Sequence, residues 1–234
     1  MLSGSVGDRH IIGMGGGADT PEQGRLLMDY VREATGKERP RHLFIPTAAA
    51  DSDEYIVWFY ERCGRDWEPS HLKTFPWPPA DLRELMLSQD AICVSGGNTA
   101  NMLAIWRVHG IDKLLREAWE NGVVLWGSSA GMIAWFEAGV TDSFGPELDG
   151  MECLGWLAGS ACPHYDGEER RRPRYRELID NGLAPGVAAE DGVALHYVGT
   201  ELVEAVTCRP GASAYRVTRE GEEKISTRQL GRAS

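Results

Sequence analysis

Cysteine is scarce in this chain of 234 residues, and no two cysteines stand in a CxxC pair. An odd number of scattered cysteines, five in all, argues against a disulfide framework, and the missing pair spacing argues against a cysteine-ligated zinc site. Histidine is almost as sparse, and none of the six has the HExxH spacing of a metalloprotease. The sequence therefore predicts no metal site.

Long hydrophobic runs are also missing, and no run approaches the length of a membrane-spanning helix. The opening MLSGSVGDRH lacks the basic and then apolar order of a secretory signal, so we expect a cytoplasmic protein without a membrane partner. Basic residues are few: 24 Lys and Arg stand against 35 Asp and Glu, which gives a net charge of -11. Because such a field repels polyanions, we do not expect a nucleic-acid partner.

The length fits one α/β domain, and no linker, repeat or low-complexity tract divides the chain. We therefore predict a single domain over residues 1–234. Apolar, β-rich runs alternate with helical patterns, which is typical of a parallel sheet covered by helices. The predicted strands are 10–14, 42–47, 71–75, 91–95 and 123–126, and the predicted helices are 21–35, 52–62, 79–88, 98–109 and 111–120. Beyond Gly139, shorter segments rich in turn residues predict a β-rich C-terminal part.

The last of these strands runs into Gly127-Ser128-Ser129-Ala130-Gly131, which fits the G-x-S-x-G pattern. In a nucleophile elbow of this kind, a tight strand-to-helix turn exposes the central serine above the sheet. Ser129 is therefore a candidate nucleophile, and the N–H of Ala130 is a candidate donor to an oxyanion. The alternative is a tight turn of small residues in which a serine caps the helix.

Three further segments are placed near strand ends. In SGGNT, Gly96 and Gly97 allow close approach of backbone N–H groups to a substrate carbonyl, while Asn98 is either a substrate contact or a helix cap. His164 in PHYD is a candidate base for the serine, since nucleophile and base are adjacent in space and not in sequence; the alternative is a packing histidine. GMGGG after the first strand matches no phosphate-binding pattern and is interpreted as structural.

Five segments occur in one order along the chain: SGGNTANML, VLWGSSAGM, VTDSFGP, CPHYDGE and AAEDGVALHY. Together they resemble the peptidase E family, the aspartyl dipeptidases, over residues 44–217. The resemblance implies a three-layer α/β sandwich with a mostly parallel central sheet, similar to class I glutamine amidotransferases. It also implies a serine peptidase without a cofactor, which cleaves short peptides and prefers dipeptides with an N-terminal aspartate.

The same resemblance assigns the site residues. It implies that Ser129 is the nucleophile and His164 its base, that the amides of Gly97 and Ala130 form the oxyanion hole, and that Asp142 orients the histidine.

Asp142 has rivals for this last role. The chemistry requires only a carboxylate that accepts the imidazole N–H and stabilises the imidazolium. Asp191 is the main rival, and Glu147 and Glu190 are also available, so the third member stays open. At the level of function, the alternatives are a cyanophycinase-like or other serine acyl hydrolase on the same fold and a non-catalytic relative.

Five arginines follow the candidate base within GEERRRPRYREL. Guanidinium groups suit planar carboxylates, so this segment is a candidate binding site for an acidic side chain or a terminal carboxylate, with Arg171 and Arg172 as the proposed contacts. The alternative is a solvated helix face whose arginines pair with the neighbouring glutamates. The expected partner is a small peptide, and a homodimer is left open.

Overall fold

The computed structural model describes residues 8–231. The strands are β1 (His10–Met14), β2 (Arg41–Ile45), β3 (Glu68–His71), β4 (Ala91–Val94), β5 (Val124–Ser128), β6 (Phe136–Thr141), β7 (Asp149–Glu152), β8 (Leu157–Cys162), β9 (Gly186–Ala189), β10 (Val193–Val198), β11 (Glu201–Thr207), β12 (Ala214–Thr218), β13 (Gly221–Ile225) and β14 (Thr227–Gln229). The helices are α1 (Pro21–Thr35), α2 (Asp53–Cys63), α3 (Leu82–Leu87), α4 (Thr99–His109), α5 (Ile111–Glu120), α6 (Ala130–Ile133) and α7 (Arg171–Asp180). A short 3-10 helix, Thr47–Ala49, follows β2.

The larger sheet has eight strands in the order β14-β11-β10-β1-β5-β4-β2-β3. The five strands from β1 to β3 in this order are parallel to one another, whereas β10 runs antiparallel to both β1 and β11. The predicted α/β class with a mostly parallel central sheet is confirmed. The carboxyl ends of the five parallel strands meet at one edge, which is where open α/β sheets bind their ligands.

A second sheet of six strands, in the order β13-β12-β9-β8-β6-β7, contains most of the β-rich C-terminal part. Its side chains share a hydrophobic core with one face of the larger sheet and with α4 and α5, as Leu125 and Leu157 illustrate. Helices α1 and α2 cover the opposite face of the larger sheet. Helix α7 packs on the second sheet through Tyr175 and Ile179.

Local chemistry explains why several predicted boundaries agree with the structure. Helix α1 begins after Thr20, whose side chain forms a capping box with Gln23, and ends at Gly36 in the left-handed conformation.

The third strand is a correction: it was predicted at 71–75 but lies at Glu68–His71. The Asp51 carboxylate accepts hydrogen bonds from the backbone of Thr74 and Phe75, so this stretch is held by a side chain and not by a neighbouring strand. Within residues 8–231, no helix is long and apolar enough to cross a membrane.

A fully buried histidine lies under α2 in the core. Trp126 Nε1 donates to His42 Nε2 at 2.8 Å, and His42 Nδ1 lies 3.6 Å from Cys63 Sγ. The ring is therefore the neutral tautomer with its proton on Nδ1. Burial lowers the pKa of His42 to about 3, because the charged form would lose its solvation.

We expect the free energy of unfolding to fall as the pH decreases from about 6.5 towards 4. In this window the unfolded chain protonates His42 and the folded chain does not, so each pH unit costs up to about 1.4 kcal/mol. His196, whose pKa burial lowers to about 4, adds to the slope in the same direction. Urea unfolding at several pH values should show a shallower slope for His42→Gln, whereas exposed His109→Gln should leave it unchanged. Equal slopes for the unmodified protein and His42→Gln would contradict the account.

Candidate active site

Ser129 lies at the turn between β5 and α6, in a backbone conformation that side chains rarely adopt. Its φ is 55° and its ψ is −111°, and its side chain makes no capping hydrogen bond to the helix. Its N–H donates to Met14 O at 3.1 Å. A methyl group at Gly127 or Gly131 would overlap the Val94 carbonyl oxygen, so both flanking glycines are required by close approach of β4. The turn has the geometry of a nucleophile elbow and not of a serine-capped helix.

His164 follows β8 and lies beside this turn. Its φ of 52° is again left-handed, and its N–H donates to Gly15 O at 2.9 Å. Because Met14 and Gly15 are consecutive, two neighbouring carbonyl groups hold the main chains of Ser129 and His164. His164 Nδ1 lies 2.7 Å from Asp191 Oδ1, and the two side chains are 23% and 26% exposed. The pair is thus accessible from solvent but largely enclosed.

The glycine loop after β1 makes room for this pair. A methyl group at Gly16 would overlap Asp191 Oδ1 and come within 2.6 Å of His164 Nδ1. A methyl group at Gly15 would overlap the Ala189 and Glu190 carbonyl oxygens. The sequence pattern predicts a structural loop here and assigns no role to Gly16. The available signal was a run of three glycines at the carboxyl end of a buried strand.

Among residues 8–231, Asp142 makes no hydrogen bond to His164, and the carboxylate bonded to the histidine is that of Asp191. Asp142 follows β6, is exposed, and lines a cavity of about 380 Å³ together with Glu168 and Arg170. The other two carboxylates considered from the sequence are also committed elsewhere. Glu190 accepts hydrogen bonds from Ser213 N and Tyr215 Oη, and Glu147 pairs with Arg170. Of the four, Asp191 is the carboxylate that contacts the histidine.

The SGGNT turn lies directly against the serine. A methyl group at Gly96 would come 3.3 Å from Ser129 Cβ, and one at Gly97, whose φ is 129°, would overlap Ala48 O. Ala130 is the first residue of α6, so its N–H has no acceptor within the helix. The structure thus brings the two predicted oxyanion donors, Gly97 and Ala130, to the surroundings of Ser129.

Asn98 is bonded within the protein. Its Oδ1 accepts from Asn101 N at 2.8 Å, which caps α4, and its Nδ2 donates to Ser143 O at 3.0 Å. Ser143 Oγ also accepts from Ala100 N. Asn98 therefore joins the SGGNT turn to the loop that carries Asp142. Its hydrogen bonds are those of a helix cap, which was the alternative to a substrate contact.

The arginines after His164 all have partners in the protein. Buried Arg171 donates to Glu168 and to Val140 O, while Arg172 pairs with Glu222 and lies over the rings of Tyr165 and Tyr215. The remaining pairs are Arg170 with Glu147, Arg174 with Glu177 and Arg176 with Glu222. Most of these arginines therefore pair with glutamates, as expected if the segment is a solvated helix face. Arg170 is the most exposed member, at 64%.

Other reactive groups near the site are weak candidates. Cys162 is two residues from His164, but burial raises the pKa of its thiol to about 12, so the thiolate is rare at neutral pH. In the described part of the chain, no group of three or more His, Cys, Asp and Glu side chains is placed to hold a metal ion.

Two solved structures share this fold. A peptidase from an acI-B1 Actinobacterium superposes with a TM-score of 0.71 at 18% identity, covering 97% of this chain and 98% of that one. A putative peptidase E protein from Listeria monocytogenes EGD-e gives a TM-score of 0.63 at 16% identity, covering 94% of this chain and 100% of that one. At these identities the likeness concerns the fold alone.

Sequence similarity is more specific. The sequence model of peptidase family S51 matches residues 11–205. The uncharacterized peptidase YgaJ of Bacillus subtilis (strain 168) is 50% identical over 212 residues, which cover 89% of this chain and 92% of that protein. The chain belongs to peptidase family S51, and the resemblance inferred from its motifs is confirmed.

We expect Gly16→Ala to lower kcat strongly, because the added methyl group must displace the His164–Asp191 pair. Displacement of a catalytic group by about 1 Å costs on the order of 100-fold in rate. Gly17→Ala is the matched control, since a methyl group there meets no atom within 4 Å. Peptide hydrolysis and thermal unfolding of both variants would be compared. Unchanged hydrolysis by folded Gly16→Ala would contradict this role of the glycine.

Proposed function

We propose that this protein is a serine peptidase that hydrolyses short peptides through an acyl-enzyme on Ser129. His164 is the general base and Asp191 is the carboxylate that holds it. The observation that carries the proposal is the arrangement of the three residues around the end of β1. Ser129 and His164 are held by consecutive carbonyl groups, and Asp191 bonds to His164 Nδ1 at 2.7 Å.

The bond to Asp191 leaves His164 Nε2 free for proton transfer. As Ser129 Oγ attacks the peptide carbonyl, Nε2 takes the hydroxyl proton, and the N–H groups of Gly97 and Ala130 stabilise the oxyanion, each by about 3 kcal/mol in comparable sites. His164 then returns the proton to the leaving amine as the C–N bond breaks. A water molecule attacks the resulting ester with the same base, which releases the acid and restores the serine. These steps require no metal or organic cofactor.

Within residues 8–231, Ser129 Oγ and His164 make no mutual hydrogen bond. Catalytic hydrogen bonds are often long without substrate and shorten in the reactive complex, so this geometry is compatible with the proposed roles. The left-handed φ values at both residues support them further, because strained non-glycine residues cluster at active sites.

For the substrate, we propose dipeptides with an N-terminal aspartate, on the basis of the resemblance to the aspartyl dipeptidases. Arg170 is the side chain best able to contact such a carboxylate. Its partner Glu147 is 82% exposed, and exposed ion pairs are worth only about 0–1 kcal/mol, so a substrate carboxylate can replace Glu147 at little cost. The cavity that Arg170 lines is close to the base, since Glu168 N donates to His164 O.

The same cavity favours a second candidate substrate. Three carboxylates, Asp142, Glu168 and Glu169, also line it, and they disfavour an acidic side chain that does not reach Arg170. A peptide with a neutral or basic first residue is the alternative that this charge favours, and the mechanism on Ser129 is the same for both.

The catalytic assignment predicts a sharp contrast between neighbouring residues. Ser129→Ala should abolish hydrolysis of a dipeptide such as Asp-Leu, and Asp191→Asn should lower kcat by on the order of 1,000- to 10,000-fold, because the histidine loses its orienting carboxylate. Covalent labelling by a fluorophosphonate, which requires an activated serine, should follow the same order. This second readout does not depend on the choice of peptide.

The matched controls are Ser128→Ala and Asp142→Asn. Both should retain most of the activity, because Ser128 belongs to β5 and Asp142 lies on a different loop from His164. Full activity of Ser129→Ala would overturn the proposed mechanism. Loss of activity in Asp142→Asn, with Asp191→Asn unaffected, would return the third role to Asp142.

The substrate proposal predicts that Asp-Leu is hydrolysed faster than Asn-Leu. Loss of a charge-assisted contact costs about 1.5 to 3 kcal/mol, which is about a ten- to hundred-fold difference in kcat/KM. Arg170→Ala should abolish the preference, whereas Arg176→Ala, which removes an exposed arginine of α7, should preserve it. Equal rates for the two dipeptides in the unmodified protein would remove the preference for aspartate and leave the serine peptidase.

A further inference from the structure

Arg209, in the segment after β11, lies behind the His164–Asp191 pair. Its Nη1 donates to Asp191 O at 3.0 Å, and its Nη2 donates to Asp166 Oδ2 at 3.0 Å. Asp166 Oδ1 accepts from Asp191 N at 2.8 Å. The N–H and the C=O of Asp191 are therefore both held in a closed ring of hydrogen bonds that runs through Asp166 and Arg209.

The third donor of the guanidinium reaches the glycine loop after β1. Arg209 Nε lies 3.2 Å from Asp19 Oδ2, two residues beyond Gly17. One side chain thus joins three segments that meet at the site: the loop after β1, the residues just beyond His164, and the connection from β9 to β10 that carries Asp191. The segments come from different sheets, so sequence neighbours do not hold them together.

Arg209 is itself fixed. Its N–H donates to Thr207 Oγ1 at 3.0 Å, and its C=O accepts from the same hydroxyl at 2.9 Å. A methyl group at Gly192 would come within 2.8 Å of Arg209 Cδ, so the side chain passes closely over the main chain next to Asp191. Its side chain is 25% exposed. Nε and both terminal nitrogens of the guanidinium are therefore each engaged by a group of the protein.

We infer that Arg209 is a positioning residue for hydrolysis: it fixes the main chain of Asp191 and thereby the carboxylate on His164 Nδ1. The inference rests on the proposed function. Arg209 touches neither the histidine nor the Asp191 carboxylate, so its effect passes through the backbone. A catalytic carboxylate must be held within about 0.5 Å of its productive position, and two bonds to its own peptide groups provide that restraint. Lysine cannot replace the planar fork, although it keeps the charge.

The test compares Arg209→Lys with the unmodified protein, using Asp-Leu hydrolysis and fluorophosphonate labelling. We expect kcat to fall about ten- to hundred-fold with KM nearly unchanged, since positioning acts on the reactive geometry and not on substrate binding. Labelling should slow by a similar factor. In an Asp191→Asn background, Arg209→Lys should cause no further loss, because the residue it positions has already lost its function.

Asp166→Asn breaks the same ring from its other side and should reproduce the loss in kcat, which keeps the inference testable if Arg209→Lys does not fold. Arg228→Lys is the control, since Arg228 also forms a two-bond pair, with Glu204, and bonds to no residue of the site. It should retain the unmodified kcat.

Three results would overturn the inference: unmodified kcat in both ring variants, a change in KM alone, or an unreduced further loss in the Asp191→Asn background. Failure of the proposed function would give a different result, because Ser129→Ala and Asp191→Asn would then remain active.

Discussion

The main chain at the carboxyl end of β1 is the constraint on which the site depends. Its carbonyl groups at Met14 and Gly15 hold the two residues proposed to exchange a proton, and its next residue, Gly16, has no side chain where the histidine and its carboxylate meet. β1 lies between β5, which ends in the serine turn, and β10, which begins after the Asp191 connection. β1 is parallel to β5 and antiparallel to β10, so the end of β5 and the start of β10 both lie beside the end of β1. The serine turn and the Asp191 connection therefore meet at this strand end.

This convergence has an energetic cost that the surrounding core offsets. Left-handed conformations at Ser129 and His164 each cost about 1–3 kcal/mol. They persist because the N–H of each residue is bonded and because the elements that carry them are anchored in buried packing. Trp135, in the segment after α6, and Tyr165, next to His164, are both almost completely buried. The bonded N–H groups and the buried packing thus hold the half-buried Ser129 in its strained turn.

Local patterns in the sequence were sufficient for most of the parallel strands and for the strand-to-helix turn at Ser129, but not for the bounds of the third strand. Helices α1 and α5 were predicted with the bounds they have in the structure, because caps and glycines mark their ends. The alternation of β-rich and helical segments predicted a parallel sheet. The carboxylate at His164 was left open, because the choice between Asp142 and Asp191 depends on how two sheets and their connections meet. The arginine partners were equally inaccessible: Glu222, which pairs with Arg172 and Arg176, lies about fifty residues further along the chain. Arg209 is a lone arginine with no motif around it.

The proposed catalytic residues are divided between the two sheets, and this division bears on how the site works. Ser129 follows a strand of the larger sheet and His164 follows a strand of the smaller one. Asp191 lies where the chain crosses from the smaller sheet to the larger. A small shift between the sheets would therefore change the distance between serine and histidine directly. The shared core that contains Leu125 and Leu157 resists such a shift, because close-packed interiors transmit strain and deform little. The loops that carry the histidine and the aspartate extend beyond the packed strands, so the core does not hold them. Hydrogen bonds between loops, such as those of the ring through Arg209, fix these loops instead.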